Sequence, residues 1–221
     1  MISVVFDLDG TLIDSAQAIR KIANQLMAEH GLKPLTGQET RSFIGAGAAM
    51  FVRRAFAARA IEDPPALEAA IARFERYYAE ADPLDNLPMP GADAALAALT
   101  GSGCALGLCT NKPGAPTEAV IKALGWSERL SVVIAGDSLS VRKPDPEPLL
   151  EAGRRLGGQP LLYVGDSEVD AETAARAGTP LLLYTEGYRA APVETLPHRA
   201  AFSDFAELPD LVRAAAAEFS R

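Results

Sequence analysis

Short, wholly apolar runs alternate along most of the chain with longer segments whose apolar residues return every three or four positions. Ile2 to Phe6 is a β-branched and aromatic run that ends in an acidic turn, the pattern of a strand buried on both faces of a parallel sheet. Comparable runs occupy Ala105 to Cys109, Val132 to Ala135, Leu161 to Val164 and Leu181 to Tyr184. Between them, Ala92 to Leu99, Ala115 to Leu124, Pro146 to Leu156 and Glu168 to Ala177 carry helical periodicity. Gly125, Gly157 and Gly178 follow three of these helices, where a residue free to turn left-handed ends a helix at little cost. The alternation predicts an α/β core, a doubly wound parallel sheet built from residues 1–14 and 89–221.

Ser15 to Pro88 breaks that rhythm, with no convincing strand and with apolar residues at helical spacing. Ile19, Ile22, Leu26 and Met27 form one stripe, and Phe51, Val52, Ala55 and Phe56 form another. Thr36 with Glu39 makes a capping box, and Asp63 before Pro64 and Pro65 is a helix-start signal. Residues 15–88 are therefore expected to form a small all-helical domain inserted into the core. The segment after Asp14 and the return Leu87 to Gly91 are its expected hinges. Leu211 to Phe219 reads as a terminal helix.

Composition narrows the partners. With 221 residues and 48% hydrophobic content the chain can bury a sizeable core. Its 29 acidic residues against 21 basic ones give a net charge of −8, which opposes contact with a nucleic-acid backbone. No stretch approaches the roughly 20 apolar residues that span a bilayer, and the opening MISVVFDLDG carries no basic leader, so no membrane association and a cytoplasmic location are expected. Cys104 and Cys109 are too few for a disulfide framework or a four-cysteine zinc site. Cys109, next to Leu108, reads as a packed strand residue.

The candidate chemistry gathers at strand ends. Asp7 and Asp9 leave the first strand two residues apart, so the period of two aims both carboxylates the same way. Gly10 lets the backbone turn and approach a ligand, and Thr11 adds a hydroxyl. In an open α/β sheet ligands bind beyond the carboxyl ends of the strands, where the winding reverses. Other strand ends there carry Thr110, Asn111 and Lys112, then Lys143 and Pro144, and then Asp166, Ser167 and Asp170. Oxygen donors from Asp7, Asp9 and Asp166, with no His or Cys among them, suit Mg²⁺ rather than zinc. With the cation and Lys143 offsetting repulsion, Asp7 can attack phosphorus as a nucleophile. Asp9 can then protonate the leaving alkoxide and later activate water, while the Thr110 hydroxyl holds phosphate oxygens.

The segments DLDGTL, LCTNK, RKPDP and GDSEVD, in this order, resemble the four motifs of the haloacid dehalogenase superfamily of phosphatases, and the resemblance runs over the whole chain. It implies that Asp7 is phosphorylated and that Asp9 is the general acid and base. It further implies that Mg²⁺ is held by Asp7, the main-chain carbonyl of Asp9 and Asp166, with Asp170 supporting the metal from behind these ligands. Thr110 and Lys143 fall on the phosphate-binding positions, with Asn111 and Gly10 nearby, and residues 15–88 resemble the superfamily's small helical cap. DLDGTLIDS, FIGAGAAMFVRRAF, SVVIAGDSLSVRKPDPEPLL and VGDSEVDAETAARAG are most similar to bacterial phosphoglycolate phosphatases. The expected partner is thus a small phosphorylated metabolite, and the expected state a monomer or homodimer.

In the cap, Gly45 and Gly47 free the backbone before a helix whose first amides can meet a carboxylate. Arg53, Arg41 and Arg54 are candidate anion partners, the alternative being that these arginines are solvated surface residues. A true dehalogenase of this fold lacks the second Asp, so Asp9 argues against one. A mutase of the β-phosphoglucomutase kind carries an Arg soon after the cap glycine, where this chain has Ala46, Gly47 and Ala48. A silent binding protein on the same scaffold need not keep nucleophile, acid, lysine and metal-binding acid together.

Overall fold

In the computed structural model, which describes residues 2–61, 63–158 and 160–219, the apolar runs become strands of one sheet. β1 (Ser3–Phe6) is followed by β2 (Ile13–Asp14), the helices α1 (Ala16–Glu29), α2 (Gly37–Phe43), α3 (Ala48–Ala57) and α4 (Pro64–Glu80), and β3 (Leu87–Pro88). The chain continues through α5 (Ala92–Gly101), β4 (Ala105–Cys109), α6 (Gly114–Ala123), β5 (Leu130–Ile134), α7 (Glu147–Arg155) and β6 (Leu161–Gly165). It ends with α8 (Glu168–Ala177), β7 (Leu181–Tyr184), β8 (Ala200–Phe202) and α9 (Leu208–Glu218). The main sheet runs β5-β4-β1-β6-β7-β8, every neighbouring pair parallel. The winding proceeds outward from β1 to β5, then returns to the other side of β1, so the reversal that opens a ligand crevice lies at the end of β1.

The central strand shows why an unbroken apolar run is required. Val4 and Phe6 enter a core with Leu96, Trp126 and Val212, whereas Val5 enters the core on the opposite face, with Leu149 and Ala171. Val4, Val5 and Phe6 are all 0% exposed, and full burial of one such side chain is worth about 1.5–3 kcal/mol. Gly125, Gly157 and Gly178 have φ of 71°, 99° and 62°, the left-handed helix endings that their positions predict.

The helices α1–α4 pack around a core of their own, which includes Ile19, Leu26, Phe51, Phe56 and Phe74. Thr36 and Glu39 form the capping box at the start of α2. Glu39 also bonds Arg59 at 2.8 Å, and these contacts, Arg59 first and the Thr36 amide next, hold its carboxyl down to about 2. Arg59 in turn donates to the carbonyls of Lys33 and Pro34, tying the loop before α2 to the end of α3. Asp63 precedes α4, but its side chain makes no capping bond, and Pro64 opens the helix by its fixed φ alone.

The structure corrects three strand expectations. The third run begins at Leu130 and ends at Ile134, because a register shift at Leu106/Gly107 lengthens its pairing with β4. β8 extends the sheet by a strand that Ala200, Ala201 and Phe202 do not announce, since two small residues give no apolar run. β3 lies at the end of the segment expected to hold no strand, and pairs antiparallel with β2, Ile13 opposite Pro88 and Asp14 opposite Leu87. Two-residue strands have no periodicity to read, yet this pairing holds the two chain crossings of the helical insert side by side. Among the described residues, no helix is long and apolar enough to cross a membrane.

Candidate active site

The end of β1 places Asp7 beside β6, its amide donating to Val164 O at 2.8 Å. The chain then turns through Gly10, at φ 93°. A Cβ at Gly10 would lie 2.5 Å from Asp166 Oδ2, so the turn demands glycine by both conformation and space. The Asp166 carboxylate is gripped at both oxygens: Thr11 Oγ1 donates to Oδ1 at 2.7 Å and the Tyr188 amide to Oδ2 at 2.6 Å. Asp170, in the first turn of α8, takes the Ser167 hydroxyl on Oδ2 at 2.6 Å and the ammonium of Lys143 on Oδ1 at 2.7 Å. Lys143 also donates to Asp7 Oδ1 at 2.8 Å and to the Tyr163 hydroxyl at 2.9 Å.

Three carboxyls and one lysine are thereby buried together, and charge sets their behaviour. Burial pushes Asp7 up to about 7 against the pull of Lys143. Burial likewise lifts Asp166 well above the carboxylate range, with Asp170 and Asp7 adding repulsion. For Asp170 burial opposes the charge, but Lys143 more than offsets it and holds the carboxyl below its usual value. Burial also works against the ammonium of Lys143, and the charges of Asp170 and Asp7 outweigh it, raising its proton affinity. Asp7, Asp166 and Asp170 bring ligand oxygens within 4.8 Å of one another. Such an oxygen-only, negatively charged group fits a hard divalent cation, which would relieve the repulsion that lifts Asp7 and Asp166.

A cavity of about 40 Å³ opens above this network between the sheet ends and the helical insert, lined by Asp7, Asp9, Thr110 and Lys112 from below and by Gly45, Gly47, Phe51 and Tyr78 from above. The model of the haloacid dehalogenase-like hydrolases matches residues 3–178. The chain belongs to that family. Over 212 residues, 95% of this chain and 96% of the relative, it is 46% identical to a phosphoglycolate phosphatase of Rhodobacter capsulatus. A phosphoglycolate phosphatase of Cereibacter sphaeroides (strain ATCC 17029 / ATH 2.4.9) is 47% identical over 216 residues, 96% of this chain and 98% of its own. The crystal structure of a predicted phosphoglycolate phosphatase from Haemophilus somnus 129PT superposes with a TM-score of 0.88 at 27% identity, covering 95% of this chain and 97% of that one.

Within this haloacid dehalogenase-like site, the sequence candidates fall into two sets. Asp7, Asp9, Gly45, Gly47, Thr110 and Asn111 all line the cavity, with Lys143, Asp166 and Asp170 in the network beneath Asp7. The acidic cluster, however, contains Asp170 and not Asp9: the Asp9 carboxylate pairs instead with the Lys112 ammonium at 3.0 Å. Asn111 joins insert to core, its Nδ2 donating to Gly45 O at 3.0 Å and to Lys143 O at 2.9 Å. Gly47, at φ 86°, caps α3. A Cβ there would stand 3.4 Å from its nearest neighbours, so conformation rather than crowding calls for glycine.

Arg53 is not brought to the cavity. It sits on the outer side of α3 in an exposed pair with Glu68, because Phe51, Val52, Ala55 and Phe56 take the buried face of that helix. Arg54 donates to Phe43 O, and Arg41 pairs with Asp14 while covering the ring of Tyr188 at 5.7 Å. Four residues of the site escaped the sequence reading of roles. Tyr78 and Tyr163 sit inside apolar patterns that signal core and nothing else. Tyr188 lies in a loop, where its hydroxyl accepts from the amides of Ser15 and Ala16 while its own amide holds Asp166. Lys112 stood in the LCTNK motif, and only its burial with Asp9 and Tyr78 gives it a role.

Proposed function

We propose that the chain hydrolyses a small phosphate monoester, 2-phosphoglycolate, with Mg²⁺ and through a phosphoaspartyl intermediate on Asp7. The observation that carries this reading is the buried Asp7, set at a sheet end between Lys143 and an acidic group suited to a hard cation. The substrate is inferred from the relatives of R. capsulatus and C. sphaeroides, which match along nearly their whole length, and from the small cavity, which suits a short ester.

In this reading Asp7, Asp166 and the main-chain carbonyl of Asp9 would hold the cation, with Asp170, whose oxygens accept from Lys143, Tyr163 and Ser167, supporting it from behind. Bound there, Mg²⁺ neutralises charge on the phosphate and on the carboxylates. An oxygen of Asp7 attacks phosphorus, forming the acyl phosphate as the bond to the ester oxygen breaks, and Asp9 gives that oxygen its proton. Asp9 then takes a proton from the water that attacks phosphorus, and inorganic phosphate leaves as Asp7 is freed. Lys143 fixes Asp7 against rotation, and the Thr110 hydroxyl receives phosphate oxygens. Residues 15–88 act as a cap over the reaction, with Gly45 and Gly47 on its inner edge. A cytoplasmic setting suits the two free cysteines, the buried Cys109 thiol being pushed up to about 12 chiefly by burial.

Acid quenching during turnover of ³²P-labelled 2-phosphoglycolate tests the mechanism. Label is expected on Asp7 and is lost in Asp7→Asn; equal labelling of the variant would remove Asp7 as nucleophile. In a screen of small phosphate esters 2-phosphoglycolate is expected to give the highest kcat/KM, and a hexose phosphate at the head would overturn the substrate.

A further inference from the structure

Among the described residues, no arginine of the insert lines the chamber above Asp7, where the substrate's carboxylate must find a partner. Arg53 pairs with Glu68 outside the cavity, Arg41 is engaged with Asp14, Arg54 with a carbonyl and Arg59 with Glu39. Arg142 lines the neighbouring outer cavity and not the chamber above Asp7. The cationic side chain in the chamber wall is Lys112. Its side chain is 0% exposed and comes from the core loop after β4, while the Tyr78 that meets it comes from α4 of the insert.

An ammonium has three N–H groups. One from Lys112 goes to Asp9 Oδ1 at 3.0 Å and one to the Tyr78 hydroxyl, and the third has no acceptor among the described residues. The Tyr78 hydroxyl accepts from Lys112, so its own proton is left over, and it too finds no acceptor among the described residues. Both donors are buried in a chamber whose apolar wall is Ile19, Ile44, Phe51 and Phe74 and whose polar floor includes Asp7, Asp9 and Thr110. A buried donor left unpaired costs about 1–3 kcal/mol, so these two are held ready for an acceptor that arrives with the ligand. Two adjacent donors, one of them charged, match the two oxygens of a carboxylate.

We infer that Lys112 and Tyr78 together bind the carboxylate of the substrate, so that specificity is read by a pair made only when the insert closes on the core. The assignment rests on the 2-phosphoglycolate reading. In the same reading Asp9 serves the ester oxygen, and Lys112, bonded to Asp9, stands beside that oxygen, within the span of a two-carbon acid. The phosphate end needs no help from the pair, since Lys143 and Thr110 serve it.

The test compares 2-phosphoglycolate with ethyl phosphate, which differs in lacking the carboxylate. The wild-type ratio of kcat/KM for the two is expected to favour 2-phosphoglycolate strongly. In Lys112→Met that ratio falls about 100-fold, and in Tyr78→Phe about tenfold, mainly through KM for 2-phosphoglycolate. Loss of rate on both esters in equal proportion, with the ratio intact, would show that Lys112 acts only through Asp9 and would overturn the assignment. Tyr78→Phe keeps the ring in the insert core and decides the matter if Lys112→Met does not fold. A wild-type enzyme indifferent to the carboxylate would remove the substrate reading and this inference together, whereas a strong preference that survives both substitutions would remove this inference alone.

Discussion

Two buried lysines serve the same cleft, Lys143 in the network beneath Asp7 and Lys112 in its floor, and are used differently. Lys143 gives its three N–H groups to Asp7, Asp170 and Tyr163, all within the core. Lys112 gives one to Asp9 and one to Tyr78 across the cleft, and keeps one without an acceptor among the described residues. The first is saturated by its own protein, and so fixes geometry and charge whether or not a ligand is present. The second is left incomplete, so a ligand can finish it. Where a cation is fully paired, removing it harms the fold; where it is left one bond short, removing it harms discrimination.

The strongest way to break the comparison is Lys143→Met. It leaves Asp7 and Asp170 buried with no cation, and loss of one partner from a buried charge pair costs about 3–5 kcal/mol. Urea denaturation in chelator is expected to show a loss of that size, together with abolished turnover in Mg²⁺. Lys112→Met is expected to cost less, because the Asp9 side chain is 12% exposed while that of Asp170 is 0% exposed. Equal losses for the two variants would erase the distinction between a saturated and an incomplete lysine.

Metal and pH sharpen the account of the saturated network. An acid whose proton affinity is higher in the folded than in the unfolded chain stabilises the fold below its unfolded pKa, and loses that contribution as pH rises through the folded value. Asp7, raised to about 7 chiefly by burial, behaves this way, and so does Asp166, raised by burial and its acidic neighbours. Asp170 has the opposite sign: burial opposes its charge, Lys143 prevails, and its contribution is lost only in acid. The chelated protein is therefore expected to be less stable at about pH 8 than at about pH 5.5, and Mg²⁺ to raise Tm more at the higher pH, where the carboxylates it needs are ionised. A Mg²⁺ effect on Tm that does not grow with pH would detach the cation from these carboxyls.

The same contrast explains what could be read from sequence. Asp7, Thr110 and Asp166 are legible because each directly follows a strand, and parallel strands deliver their last residues to one edge of the sheet, while Lys143, in the loop between β5 and α7, is legible from its motif. Fold class follows from the same runs, while β8 and the β2–β3 pairing are too short to show a period. In the insert, position along a helix says which face is apolar but not what that face meets. Arg53 therefore looked as eligible as any cation, and Tyr78 looked like one more core aromatic. Lys112 was visible in its motif, but the partner that gives it a second role comes from α4, 34 residues earlier in the chain. Asp170 is expected behind the metal, and its carboxyl oxygen lies within 4.8 Å of those of Asp7 and Asp166.

The smallest expected effect tests the negative half of the comparison. The Arg53 side chain is 43% exposed and its partner Glu68 is 67% exposed, and pairs so open to solvent contribute about 0–1 kcal/mol. Arg53 lies on the face of α3 opposite Phe51 and Val52, and alanine is the better helix former, which returns part of any loss. Arg53→Ala is thus expected to shift the urea-derived stability by no more than about 0.5 kcal/mol. KM for 2-phosphoglycolate should stay within about twofold, because the guanidinium pairs with Glu68 and Arg53 is not among the residues that line the chamber. Discrimination assigned to Lys112 and Tyr78 requires that result: a KM raised tenfold for 2-phosphoglycolate and not for ethyl phosphate would mean that α3 turns inward when substrate binds, and would move the reading of the carboxylate from the floor of the cleft to its roof.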